Sequence, residues 1–168
     1  MAGVRIVDSS LLIEADHRKV LGPLEAYLRS SVGAIAPPRV YEETVSEPKS
    51  LGFSGSSPSR IERLFSDNVV TIENPDYSES EVSDTVDKVR ECIAKKAEKQ
   101  VHLVELADLQ LVALAASYAK KGERVELIFR DKLLKDCLAS VLKGKGISGV
   151  TITDSSMLVR ELLSKRHV

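Results

Sequence analysis

Five short apolar runs punctuate the chain, at residues 3–8 (GVRIVD), 32–36 (VGAIA), 69–72, 124–129 and 149–153. Each is followed by sequence with helical periodicity. A continuous apolar run of this length reads as a strand buried on both faces. Strand–helix alternation is what covers both faces of a parallel sheet. The chain is therefore predicted to be an α/β protein with three layers, α/β/α, and a doubly wound parallel sheet of about five strands. Its 168 residues fit a single domain, 1–168, and a hydrophobic fraction of 43% supplies a core.

The helical stretches differ in character. Residues 11–29 are helical with a break at Gly22-Pro23, and residues 39–47 follow Pro37-Pro38. Residues 78–98 carry the clearest amphipathic stripe, Val82, Val86, Val89, Ile93 and Ala97, with Ser78 and Glu81 spaced as a capping box. Residues 105–121 are apolar on nearly every side, which predicts burial on nearly every side. Further helices are expected at 60–65, at 131–143 and from Asp154 or Ser155 onward. Between them, residues 48–59, rich in Pro, Gly and Ser, read as a mobile loop.

The bulk numbers exclude several classes. The net charge is −1, so a nucleic-acid partner must be met by a local basic face. No apolar run reaches membrane-span length and no signal-peptide pattern opens the chain, so the default location is cytoplasmic. Cys92 and Cys137 lack any CxxC or His-rich company and read as two free thiols in a reducing compartment. The sequence lacks a GxxxxGK[ST] loop, a GxGxxG turn after the first strand, and a GxSxG elbow. His17, His102 and His167 form no ligand spacing.

In open parallel sheets ligands bind beyond the carboxyl ends of the strands. Asp8 closes the first run, Asp131 follows the fourth and Asp154 the fifth; Glu42 and Glu43 lie on the helix after the second. Asp108 stands near the start of the apolar helix. Each acid alone is also readable as a helix cap or a solvated face. Together, carboxylates converging on one cleft need protons or a cation, because one pair at ~4 Å costs about 4 kcal/mol at an effective dielectric near 20. Oxygen-only ligation points to Mg²⁺ or Mn²⁺.

Four segments resemble, in order, the signature blocks of PIN-domain nucleases. They are the run into Asp8-Ser9-Ser10, the motif Val40-Tyr41-Glu42-Glu43, residues 103–115 (LVELADLQLVALA) and residues 127–134 (LIFRDKLL). The third is similar to the LSxxDxxVLALA segment of the archaeal and eukaryotic PIN endonuclease that matures the 3′ end of small-subunit ribosomal RNA. The zinc ribbon common in that group is not among these residues. The resemblance implies Mg²⁺- or Mn²⁺-dependent hydrolysis of single-stranded RNA, with Asp8, Glu43, Asp108 and Asp131 as catalytic and metal-binding acids. Glu43 is preferred to Glu42 because the family's acid stands three residues after the valine matching Val40. Ser10 matches a small hydroxyl residue supporting the first acid. The fourth block departs from the family's TDD or SxD, reading Phe129-Arg130-Asp131.

Candidate RNA contacts are Arg39, Lys49, Arg60, Arg63, Arg130, Lys132 and Lys135, with Phe53 as a base-stacking or lid residue. The expected partner is single-stranded RNA, with precursor ribosomal RNA or a ribosomal subunit precursor as one form of it. A homodimer is compatible with the apolar faces, and no membrane is involved. The leading function is an RNA-processing endoribonuclease. The alternatives are a toxin of the VapC kind, usually shorter between its second and third acids, and a non-catalytic PIN scaffold binding RNA or protein. A haloacid-dehalogenase-like phosphatase wants DxDx[TV], and Ser10 stands where its second Asp belongs.

Overall fold

A computed structural model describes residues 3–30, 32–52 and 56–166. Five parallel strands form one sheet: β1 (Gly3–Val7), β2 (Gly33–Ala36), β3 (Val70–Ile72), β4 (Arg124–Phe129) and β5 (Val150–Asp154). Their order is β3-β2-β1-β4-β5. The doubly wound three-layer architecture is the one the alternation predicts.

The chain winds outward from β1 twice. Helices α1 (Ser9–His17) and α2 (Leu21–Arg29) lead from β1 to β2. Next come α3 (Pro38–Tyr41), a π-helical turn over Glu42–Ser46, α4 (Glu47–Ser50) and α5 (Ser56–Ser66), which lead to β3. The chain then crosses to the other face through α6 (Ser80–Lys96) and α7 (Leu106–Lys120), and inserts β4 beside β1. Helix α8 (Lys132–Lys145) leads to β5, and α9 (Ser155–Arg166) returns to the first face.

Two apolar cores follow from this winding, one per face of the sheet. One joins Val4, Ile6 and Leu127 to the stripe Val82, Val86, Val89 and Ile93 of α6, and to α7 and α8. The other joins Val7, Ala36 and Ile128 to α1, α2, α5 and α9. Seven consecutive residues of α7, Leu111 to Ser117, are buried, as an all-round apolar helix requires. A charged side chain, Arg5, lies buried on the central strand β1. Its Nε donates to Glu126 Oε1 at 2.9 Å, and its Nη1 to the carbonyls of Tyr27, Ser30 and Val32. Gly3 lets β1 approach β4 closely, since a Cβ there would lie 3.2 Å from the Arg124 carbonyl oxygen, a tight contact.

The structure differs from the sequence reading in several places. Most of the expected loop at 48–59 is helical where described: α4 runs to Ser50 and α5 begins at Ser56. Phe53 lies outside the described residues, as does His167. The Ser78–Glu81 capping box does not form. Ser78 instead donates to Asp76 in a turn, through its backbone N–H at 2.9 Å and its hydroxyl at 2.6 Å, and α6 starts at Ser80. Ala97 is exposed, and the buried stripe ends at Ala94. The largest correction is at the cysteines. Cys92 of α6 and Cys137 of α8 are joined in a disulfide, with Cα atoms 5.8 Å apart, rather than standing as free thiols. The pairing depends on α6 lying against α8, which no spacing in the sequence encodes.

Candidate active site

Because all strands are parallel, their carboxyl ends share one edge of the sheet. The order reverses between β1 and β4, and this is where a doubly wound fold leaves a crevice. Asp8 follows β1 directly, and its N–H donates to the Ile128 carbonyl at 3.1 Å, continuing the ladder into the crevice. Asp131 is two residues beyond β4. A helix that returns antiparallel to the strands begins at the same edge, which puts Asp108, in the first turn of α7, there too. Glu43 lies on the π-helical turn after β2. A wide turn of this kind re-aims side chains within a helix and is frequent at functional sites.

The hydrogen bonds tie two of these acids together. The Ser9 hydroxyl lies 3.4 Å from Asp8 Oδ1 and 3.5 Å from Glu43 Oε2, in reach of donating to either. Ser10 Oγ donates to the other Asp8 oxygen at 3.0 Å and stands 3.4 Å from Ser155 Oγ, at the start of α9. Glu42, by contrast, is exposed and pairs with Arg39 at 3.1 Å.

The electrostatics show how these groups act on one another. Burial pushes the Asp8 carboxyl up, against the hydroxyls and N–H groups of Ser9 and Ser10 that hold it down. Burial also raises Glu43; Arg39 opposes that shift, and the charges of Asp8, Glu105 and Glu47 reinforce it. Asp108 is pushed from 3.8 up to about 7, by burial first and then by the charges of Asp8, Asp131 and Glu105. Asp131 is exposed and caps α8, its Oδ1 accepting from the Leu134 N–H at 3.0 Å.

Acids raised by one another's charge form a site short of positive charge, and carboxylate oxygens are donors that a hard divalent ion takes. The chemistry of the donor set fits such an ion. Even so, among the described residues no three His, Cys, Asp or Glu side chains stand close enough together to hold a metal. The acids share a crevice and a field without meeting at ligand distance.

The cations divide into two sets. Arg39 pairs with Glu42, Glu43 and Glu47, Lys49 with Glu62 at 2.6 Å, and Arg60 with Asp16 through two bonds of 2.6 and 3.2 Å. Arg63 on α5 is exposed, as are Arg130, Lys132 and Lys135 around the start of α8. Sequence reasoning missed Ser9, Ser155, Glu105 and Gln110, whose Oε1 accepts from the Arg39 N–H at 3.1 Å. Only Ser9, beside Asp8 in the first block, carried a usable signal.

No helix of the described residues is long and apolar enough to cross a membrane. No curated protein matches the chain. The family profile of the halobacterial PIN domain matches residues 1–167. PIN domains are generally metal-dependent nucleases, and the sheet order, the crevice and the acids around it are read in that light. The chain belongs to the halobacterial PIN-domain family.

Proposed function

We propose that the chain, acting as one domain over residues 1–168, is a Mg²⁺- or Mn²⁺-dependent endoribonuclease that hydrolyses phosphodiester bonds of single-stranded RNA in RNA processing. The observation that carries this reading is Asp108. A carboxyl held up at about 7 by burial and by three neighbouring acids has a use if a cation is to take the proton's place.

Asp8 and Asp108 would hold the ion most directly, with Glu43 and Asp131 completing its shell or positioning the attacking water. The ion supplies a water of lowered pKa and neutralises charge on the phosphate. Ser9 keeps Asp8 and Glu43 turned toward a common point. Ser10 fixes the second oxygen of Asp8, and Arg39 limits the rise of the Glu43 carboxyl. Lys132 and Arg130, both exposed, are the cations best placed to meet the RNA backbone. Within this reading, the third sequence block favours precursor ribosomal RNA as the substrate.

Calorimetric titration with Mn²⁺ and cleavage of a labelled single-stranded RNA test the proposal. Wild type should bind Mn²⁺ and cleave, while Asp8→Asn and Asp108→Asn should each lose at least about a hundredfold in rate. Cleavage that survives both substitutions would count decisively against it. The alternative, a PIN scaffold that binds RNA without cutting, draws on one observation: Asp131 is engaged as a helix cap, beside an Arg130 that replaces an acid. RNA binding without Mn²⁺ uptake or cleavage would select it.

A further inference from the structure

A groove of about 630 Å³ begins at the two serines next to Asp8 and runs along α1. It starts at Ser9 and Ser10, the serines that hold Asp8, and continues past Ile13, Glu14 and His17 to Arg18, with Arg130 on its other wall. Its charged side chains are Arg18 and Arg130 against one carboxylate, Glu14, which accepts from Ser156 Oγ at 3.0 Å, and His17 lines it beside them. Arg39, Lys49 and Arg60, by contrast, are all matched by carboxylates. Among the described residues Arg18 and Arg130 make no ion pair, and both are exposed. Between them Ile13, 49% exposed, presents an apolar side chain to the groove.

We propose that this groove binds the nucleotide of a single-stranded RNA next to the bond that is cut, with its phosphate between Arg18 and Arg130 and its base against Ile13. The proposal rests on the nuclease reading for the position of the cut. The volume lies within the range of small-ligand sites. A phosphodiester needs cations that no carboxylate already satisfies, and a base needs an apolar face. The groove supplies both, and its near end is the hydroxyl pair that holds the first acid. Arg18, His17 and Ile13 act on the strand, not on the reacting atoms.

The test is fluorescence anisotropy on the full chain with a labelled oligouridylate of about ten nucleotides, in Ca²⁺, together with Mn²⁺-dependent cleavage kinetics. Arg18→Glu and Arg130→Glu should each weaken binding about tenfold or more, and Ile13→Ser several-fold. Arg18→Ala and Arg130→Ala should each flatten the salt dependence by about 0.7 in log–log slope. Arg124→Glu, an exposed cation at the opposite end of β4, should stay within about twofold of wild type. In cleavage, the Arg18 variants should raise KM with kcat nearly unchanged. Arg18→Glu and Arg130→Glu binding as tightly as Arg124→Glu would overturn the groove, and so would a wild type that fails to bind. A wild type that binds RNA through these arginines but never cleaves would overturn the nuclease reading and leave the groove standing.

Discussion

Asp108 shows what one misplaced charge does to a fold. A carboxyl raised from 3.8 to about 7 keeps its proton in the folded chain while the unfolded chain releases it. The contribution of this one group to stability is therefore full at low pH, declines as pH rises from about 4 to about 7, and is level above that. Asp108→Asn removes the penalty. In metal-free protein it should raise stability at pH 8 by on the order of 2–4 kcal/mol and change little at pH 4, as read by urea titration at the two pH values. Mn²⁺ should stabilise wild type at pH 8 and leave Asp108→Asn nearly unmoved. Arg60 makes a contrasting case. It was a candidate RNA contact, but its guanidinium spans α1 and α5 to Asp16, whose side chain is only 6% exposed. Arg60→Ala should cost about 1–3 kcal/mol in thermal or urea unfolding, because it strips a paired cation from a buried carboxylate.

Among the elements, α6 and α8 are tied together both covalently and by ion pairs. They pack side by side, share Cys92–Cys137, and are joined again where Lys145 meets Glu81 at 3.0 Å and also Asp84. The disulfide closes a loop between residues 45 apart in sequence. Cys92→Ser should lower stability by about 2–4 kcal/mol in oxidised protein, and a reductant should erase the difference from wild type. The elements also show which features the sequence makes legible. Strand β4 and helix α7 are plain in it, because an apolar run and an all-round apolar helix each have one physical solution. Helix α5 was legible from Arg60 onward, but its first turn and α4 were hidden by Ser and Pro, which disfavour helix locally but are tolerated at first turns and ends. The disulfide, the π-helical turn under Glu43 and the Ser9 bridge could not be read, because each arises from contact between distant segments. The four acids were legible as types and positions. That no three of them stand close enough to hold a metal was not, since distances between remote segments leave no periodic mark.

Over the whole molecule, stability concentrates where β1 and β4 run side by side. They pair over five residues, from Gly3 with Arg124 to Val7 with Ile128, and each core takes alternate residues from both. Amide hydrogen exchange should find the slowest protons at Ile6, Val7, Leu127 and Ile128, and faster exchange in β3, an edge strand of three residues. The order β3-β2-β1-β4-β5 also governs how the chain reaches this state. The strand at the centre is the first to leave the ribosome, and one of its two neighbours is made more than a hundred residues later. Until β4 arrives, the nascent chain holds an apolar ribbon with one side unclaimed, open to any other strand in reach. A fold that builds its crevice by inserting a late strand beside an early one thereby makes the crevice a late feature, formed after the whole of one wing of the sheet has been made. No chain stopped before β4 can bring Asp8 and Asp131 to one edge of the sheet, so the acids gather only once residue 131 has been made.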